Sequence, residues 1–321
     1  MSIARLRCSL LGKSMSNVIL VDWSQMVIAS ATAFGSDFDK GKDAKNQINI
    51  LRHTILNTIL GDKNKFGRES EIVIACDGRD YWRRQIFPHY KQHRKKNREE
   101  SKTDWKAIFS IGSQLQQEFK EVFPFKFIID PEVEGDDSIA VLSKWWQDNE
   151  LVTEGMFEDS PRKIVIKSND GDFGQLHKYK NVRQWNPLLK KWVTKTSKHD
   201  LLLKCIQGDG GDGIPNIYMA DDFFLKEEGG AVRQKPITSK IKDHAIKQFD
   251  NGEKIYFGDK TMDYGFHRNR NLIDFDYIPE RITEKVIGIY KEQQIINDKK
   301  KIFNYFVANR CRNLMEKISD F

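Results

Sequence analysis

No run in this 321-residue chain reaches the roughly 18 apolar residues needed to cross a bilayer, so no membrane partner is expected. Cysteine is scarce. Cys8, Cys76, Cys205 and Cys311 are scattered without a CxxC spacing, which argues against a disulfide frame or a zinc site and suits reduced thiols in a cytosolic protein. The seven histidines are dispersed, with no HExxH and no readable Ser/His/Asp arrangement, and His177 reads as a locally packed side chain. Internal repeats and low-complexity segments are missing as well, which leaves an ordinary globular chain.

What is present is charge, and it is unevenly placed. Lys and Arg number 53 against 46 Asp and Glu, a net +7 with a pI near 9.0. A positive field of this kind favours a polyanionic partner, although a ribosome-associated or membrane-surface protein would carry a similar balance. The length suits one large α/β domain with a smaller module, or two domains. Residues 1–16 carry Arg5, Arg7 and Lys13 around too short an apolar stretch for a signal peptide. They read as a flexible basic arm, or as an upstream start with Met15 as the true first residue.

Five short apolar runs each lead to carboxylates. Residues 18–21 end at Asp22, 72–76 at Asp77, and 164–166 lead to Asp170 and Asp172. Residues 125–129 end at Asp130 just before Glu134, Asp136 and Asp137, and 201–206 lead into Asp209 and Asp212. The β-branched runs read as buried strands, alternating with helices marked by Ile48, Leu51, Ile55 and Ile59 (stopped at Gly61) and by Ile139, Leu142 and Trp146. That alternation predicts a doubly wound, mainly parallel sheet flanked by helices. In such a sheet the C-terminal strand edges lie together, so the acids would converge in one cleft. Gathered carboxylates repel unless they bind a hard cation, and Mg²⁺ or Mn²⁺ is the expectation. Singly, each acid has a plainer role. Asp136 and Asp137 could complement a helix N-terminus, Asp209 and Asp212 could be turn residues, and Asp130 beside Pro131 reads as one.

Two further constellations accompany the acids. Residues 81–106 hold nine Lys/Arg against three Asp/Glu, a net of 9 − 3 = +6, with Tyr81, Trp82 and Tyr90 interleaved. Basic side chains bind phosphate and aromatics stack on unpaired bases, whereas a solvated basic loop is the plainer reading. Residues 208–217 form a glycine-rich turn containing Gly208, Gly210, Gly211 and Gly213. Its backbone N–H groups could approach a phosphate, and a helix starting near Pro215 would add its dipole. From Ile278 onward two helices are expected, the last carrying Ile302, Phe303, Phe306 and Val307.

Taken in order, these pieces resemble the flap endonuclease, or structure-specific 5′-nuclease, superfamily, in particular its T-even-type phage ribonuclease H branch. The matching segments are Val21-Asp22-Trp23-Ser24-Gln25, Cys76-Asp77 with Tyr81-Trp82-Arg83-Arg84, Tyr90-Lys91 with Arg94, and Glu134-Gly135-Asp136-Asp137. They continue with Ser168-Asn169-Asp170-Gly171-Asp172-Phe173, Gln175-Leu176-His177-Lys178, Gly208-Asp209 with Asp212, and residues 273–279. The resemblance implies a PIN-like nuclease domain over residues 17–198, with a basic bridge at 81–106, and a helical C-terminal domain over 199–321 with a helix-three-turn-helix element at the glycine turn.

It also implies roles. Asp22, Asp77, Glu134, Asp136 and Asp170 would surround one Mg²⁺, and Asp172, Asp209 and Asp212 would serve a second, largely through water, with Mn²⁺ able to substitute. Asp22, Asp77 and Asp136, with Lys91 and Arg94 holding the scissile phosphate, would form the catalytic set. Tyr90 would stack near the terminal base. Arg83, Arg84, Lys95 and Lys96 would contact the strand, and Gly208, Gly210, Gly211 and Gly213 the duplex backbone, with K⁺ a candidate at the turn.

The expected function is therefore a 5′-to-3′ nuclease, acting by two-metal hydrolysis on RNA–DNA hybrids and on 5′-flap, nicked or forked DNA. Its role would be primer removal during lagging-strand replication, as a monomer in the host cytoplasm. A single-stranded-DNA-binding protein is an implied partner. Residues 1–16 show no version of the clamp-binding segment that the phage family can carry. The competing readings are a PIN-type endoribonuclease, which should lack the bridge and the glycine turn, and a catalytically silent DNA-binding protein, which should have lost several acids.

Overall fold

A computed structural model describes residues 17–153, 159–194, 197–225, 233–295 and 297–321. The basic arm expected at 1–16 lies outside them. Strands β1 (Asn17–Asp22), β2 (Glu71–Ala75) and β3 (Lys126–Ile128) enclose helices α1 (Trp23–Thr32), α2 (Ala44–Phe66), α3 (Trp82–Ile86), α4 (Arg94–Glu99) and α5 (Trp105–Val122) in chain order. Helix α6 (Gly135–Trp145), a small antiparallel pair β4 (Val152–Thr153) and β5 (Asp159–Ser160), and strands β6 (Lys163–Lys167), β7 (Val182–Asn186) and β8 (Lys191–Trp192) follow. The remainder is helical: α7 (Asp200–Gln207), α8 (Ser239–Asp250), α9 (Lys260–Ile273), α10 (Glu280–Glu292), α11 (Lys299–Ala308) and α12 (Arg312–Met315). No helix among the described residues is long and apolar enough to cross a membrane.

The sheet has the order β3-β2-β1-β6-β7-β8, parallel except for β8. Residues 18–21 of β1 are fully enclosed because helices cover both faces of the sheet, which is why a continuous β-branched run is tolerated there. Ile139, Leu142 and Trp146 are all buried, as their helical spacing predicts. Helix α2 runs past Gly61, where a helix end was expected, and stops at Gly67. Gly61 has open space around its Cα, while Gly67 at φ 138° supplies the capping conformation.

Packing groups the chain into two units. Among the described residues, the first holds 17–78, Lys102–Val193 and Glu284–Phe321; the second holds Arg79–Ser101 and Thr194–Thr283. In the first, Ile302, Phe306, Cys311, Leu314 and Phe321 join the core formed by Ile19, Ile55, Leu115 and Phe127. Arg52 on α2 ties this end down, donating to the Tyr305 hydroxyl at 2.8 Å and pairing with Glu118 at 3.0 Å. In the second unit, Phe87 and Tyr90 of the basic segment pack with Leu202, Ile206, Ile214, Ile217 and Phe266. The basic segment thus carries its own apolar anchor, which its charge count does not suggest.

At the N-terminal edge of the sheet lies a buried polar cluster. Arg162, just before β6, donates to Glu71 at 2.7 Å and to Glu150 at 2.9 Å, and Lys126 pairs with Glu71 at 3.3 Å. The Tyr290 hydroxyl donates to Glu150 at 2.9 Å. Burial, reinforced by Glu71, raises this hydroxyl well above the usual tyrosine range, so it stays a hydrogen-bond donor.

Candidate active site

Parallel pairing sets Asp22 beside Ala75 and Val21 beside Lys167, so the segments following β1, β2 and β6 leave the sheet at one edge. Asp22 closes β1, Asp77 stands two residues after β2, and Asp170 three after β6. Helix α6 starts at the same edge: the backbone N–H of Gly135, between Glu134 and Asp136, donates to Asp77 Oδ1 at 2.9 Å. Ser24 Oγ donates to Asp77 Oδ2 at 2.6 Å. Asp22 Oδ1 caps α1 by accepting from Gln25 N at 3.0 Å, and Gln25 Oε1 in turn accepts from Asn169 N at 3.1 Å. Gln184 on β7 donates to the carbonyls of Ser168 at 3.0 Å and Asp170 at 2.6 Å. Asp170 Oδ1 accepts from Asp172 N, which places Asp172 in the first turn of the 3-10 helix Gly171–Lys178. One hydrogen-bonded chain therefore links Asp22, Asp77, the start of α6 and Asp170. Ser24, Gln25 and Gln184 are its polar joints, and the sequence marks only the first two, which lie within three residues of Asp22.

Close approach of the loops depends on Gly78. Its N–H donates to Val133 O at 2.8 Å, and a Cβ there would lie 2.2 Å from Pro131 O and 2.5 Å from Asp130 O. Gly78→Ala should push the turn at 130–131 away from Asp77, at a cost of about 1–3 kcal/mol. A thermal melt together with a nuclease assay checks this, and both stability and activity are expected to fall.

Two neighbours of the acids have other roles. Asp137 is fully buried and accepts from Glu134 N at 3.3 Å in a capping box, so it fixes the start of α6. Asp130 accepts from Glu132 N at 2.9 Å as a turn residue. The thiol of Cys76, next to Asp77, is pushed well above its usual range, first by burial and then by the carboxylates of Asp77 and Asp22. That shift registers the negative field of the edge and keeps Cys76 inert.

Among the described residues no three acidic, His or Cys side chains stand close enough to grip an ion as they are placed. The donor set nevertheless suits a hard cation. It is all oxygen, it stands on rigid strand ends and a helix start, and Ser24, Gln25 and backbone N–H groups orient its members.

The second unit holds the remaining candidate residues. Arg83, expected to contact nucleic acid, is buried with Nε donating to Leu272 O at 2.8 Å. Tyr90, expected to stack on a base, is 3% exposed and donates its hydroxyl to Asp212 Oδ2 at 2.9 Å. Arg84 is exposed and lies 4.7 Å from the Tyr81 ring centroid. Lys95 and Lys96 fall on α4, but their side chains lie outside the described set. Asp209 and Asp212, expected to serve the second ion largely through water, each lie beside cations. Asp209 pairs with Lys204 at 2.8 Å, and Asp212 pairs with Lys91 at 3.7 Å and with Arg94. Burial alone would raise the Asp209 carboxyl, but Lys204 and the N–H groups of Asp212 and Gly211 outweigh it and hold it below the usual range.

The glycine turn also differs from expectation. The N–H groups of Gly211 and Asp212 point inward to Asp209 Oδ1, not outward to a phosphate. Asp209 and Ile214 exchange paired hydrogen bonds of 2.8 Å, closing the turn as a small hairpin. No helix begins at Pro215, because α9 takes up that backbone: Arg268 and Asn269 donate to Pro215 O at 2.7 and 2.9 Å. Gly208 is required where it stands, with φ 73° and a would-be Cβ 2.4 Å from Ile214 O. Gly210 lies open at the tip, its would-be Cβ 3.6 Å from Phe224.

A mainly parallel sheet flanked by helices, with acids following its C-terminal strand ends, together with a helical C-terminal region, defines a PIN-like nuclease fold. The chain belongs to the 5′-3′ exonuclease family: the model of the 5′-3′ exonuclease N-terminal resolvase-like domain matches residues 17–204, and that of the T4 RNase H C-terminal domain matches 196–321. It is accordingly a nuclease. The ribonuclease H of Enterobacteria phage T4 is 32% identical over 311 residues, 95% of each chain. Among solved structures, a bacteriophage T5 flap endonuclease in a pseudo-enzyme-product complex with DNA and metal ions shares the fold at a TM-score of 0.53. That match has 16% identity and covers 86% of this chain and 100% of that one. The T5 5′-exonuclease with bound zinc aligns at 0.52 and 17% identity, covering 86% and 98%.

Proposed function

We propose that this protein is a Mg²⁺-dependent 5′-to-3′ nuclease that removes RNA and adjacent DNA from RNA–DNA hybrids and from 5′-flap, nicked or forked duplexes, as in primer removal on a lagging strand. The observation that carries it is the hydrogen-bonded convergence of Asp22, Asp77, the Glu134–Asp136 helix start and Asp170 on one sheet edge. The T4 relative bears the name ribonuclease H and the T5 neighbour the name flap endonuclease, which supports both substrate classes.

Asp22, Asp77, Glu134, Asp136 and Asp170 would hold the first ion, and Asp172, Asp209 and Asp212 would serve the second, largely through water. Bound there, Mg²⁺ would supply Lewis-acid polarisation of the phosphodiester and ease the loss of a proton from water. Ser24 and the Gly135 N–H hold Asp77 in orientation, and Gln184 fixes the loop that carries Asp170. Lys91 and Arg94 would bind the phosphate being cleaved and offset its charge.

K⁺ would be a candidate at the carbonyl oxygens of Gly210, Gly211, Asp212 and Ile214 in the glycine turn, each of which has a second lone pair beside the N–H it accepts. Phe303 and Val307, one turn apart on α11 and 46% and 51% exposed, are apolar side chains that a single-stranded-DNA-binding protein could use.

The test is a 5′-labelled RNA–DNA hybrid and a 5′-labelled flap duplex, each incubated with Mg²⁺ and with Ca²⁺. Short labelled products appearing first, with Mg²⁺ only, are the expected result. Degradation from the 3′ end, or equal cleavage with Ca²⁺, would overturn the reading.

A further inference from the structure

Lys167 ends β6 with its side chain inside the protein. It pairs in register with Val21 of β1 on one side and Trp185 of β7 on the other, and it is 6% exposed. Alternation along the strand turns Lys163, Val165 and Lys167 to one face and Ile164 and Ile166 to the other. Helix α2 lies on the first face. From it Asp62, 7% exposed, accepts a hydrogen bond from the Lys167 ammonium. The next turn of the same helix meets the neighbouring strand: Lys65 Nζ stands 3.0 Å from the Trp185 ring centroid, and Phe66 meets that ring edge-on at 5.7 Å.

Stability does not account for a charged pair at this place. Burial raises the Asp62 carboxyl and lowers the Lys167 ammonium, and in each case it outweighs the attraction of the opposite charge. Two apolar side chains of similar volume would remove that cost and keep the packing. What the pair adds is direction. Apolar contact tolerates small sliding, whereas a charge-assisted hydrogen bond has a set length and angle. The segment it fixes begins with the next residue. Ser168 N donates to Trp185 O at 3.2 Å, Ser168 Oγ accepts from Asp170 N at 3.1 Å, and Gln184 grips the carbonyls of Ser168 and Asp170. Those bonds tie the segment to β7 within the sheet, and the Lys167–Asp62 pair ties the same strand end to the helix.

We propose that the buried Lys167–Asp62 pair is a positioning device for the active edge, pinning the end of β6 to α2 so that Asp170, three residues on, presents its carboxylate where a divalent cation binds. In this role the pair touches neither substrate nor cation and acts through the strand end. This rests on the reading of Asp170 as a metal ligand.

The test uses the full-length protein with Lys167→Met, Asp62→Leu and the two together. Melting temperature and Mn²⁺ affinity are measured without nucleic acid, the latter by the paramagnetic resonance of the ion, and kcat on a 5′-labelled flap with Mg²⁺. Each single variant strands a buried charge and should melt below wild type. The double variant should regain most of the melting temperature, while its Mn²⁺ dissociation constant stays about tenfold above wild type and its kcat stays low. Mn²⁺ affinity and kcat both within about twofold of wild type in the double variant would overturn the proposal.

Should the double variant not regain its melting temperature, Asp62→Glu carries the comparison, since it keeps both charges and lengthens the link by one methylene. Weaker Mn²⁺ binding by the folded protein supports the proposal, and unchanged binding overturns it. Asp170→Asn separates the two readings. If it leaves Mn²⁺ affinity unchanged, the metal-ligand reading of Asp170 itself fails. If it weakens the affinity while the double variant does not, only the role of the pair falls.

Discussion

Replacing Asp136 by Asn should lower kcat by roughly 10²–10³-fold while the protein stays folded. Asp136 lies in the first turn of α6, half-buried, beside the Gly135 N–H that orients Asp77. Its loss as a helix N-terminal charge costs only about 0.3–1 kcal/mol, too little to unfold the chain. Asp137→Asn provides the contrast. Asp137 is buried and caps the same helix, so its replacement should cost about 1 kcal/mol of stability and affect kcat less than Asp136→Asn does. Single-turnover cleavage and a thermal melt on both variants separate the two effects. Wild-type cleavage by Asp136→Asn would remove the basis for a metal centre at this edge.

The largest structural effect is expected at the opposite edge. Arg162→Leu should destabilise the sheet-bearing unit by about 3–5 kcal/mol, because it leaves Glu71 as a buried carboxylate without its principal partner. A fall in melting temperature of roughly 10 °C follows from that figure for a unit of this size. Burial alone would lower the Arg162 guanidinium, but Glu71, Tyr290 and Glu150 outweigh it and raise it, so the pair stays charged across the working pH range. Arg162 stands just before β6 and Glu71 at the start of β2, at the opposite strand ends from the acids, so kcat measured at 20 °C should stay within about twofold. Adding Glu71→Leu should recover much of the loss, since two apolar side chains then replace a broken pair. A melt of the single and double variants checks both statements, and equal melting temperatures for wild type and Arg162→Leu would remove the cluster from the stability account.

Much of the sheet is readable from residues because its strands are local. Residues 18–21 and 72–76 are continuous β-branched or apolar runs, with Asp22 at the end of its strand and Asp77 two residues past the end of the other. The same logic locates α6 and its buried face. What escapes a one-dimensional reading depends on partners far along the chain. Arg83 looks like a nucleic-acid contact until Leu272 O, 189 residues away, accepts its Nε–H. Asp209 and Asp212 match the acid series in sequence, and only the fold shows that Lys204, Lys91 and Arg94 stand beside them. Tyr90 belongs to a basic run by composition and to an apolar cluster by packing. Gln184 has no local signal at all, because it matters only through the carbonyls of Ser168 and Asp170.

The seating of α11 and α12 in the core of the first unit bears on how the nuclease comes into being. Ile19, at the front of the chain, shares a core with Phe306, Leu314 and Phe321, so that core cannot close until synthesis has passed residue 321. Most multidomain chains complete their N-terminal parts while the ribosome is still working on the rest. Here the strand-end acids would gain their rigid support last, and a chain stopped short of α11 would lack the packing that holds them. Interrupted translation would therefore release fragments with little capacity to cut nucleic acid.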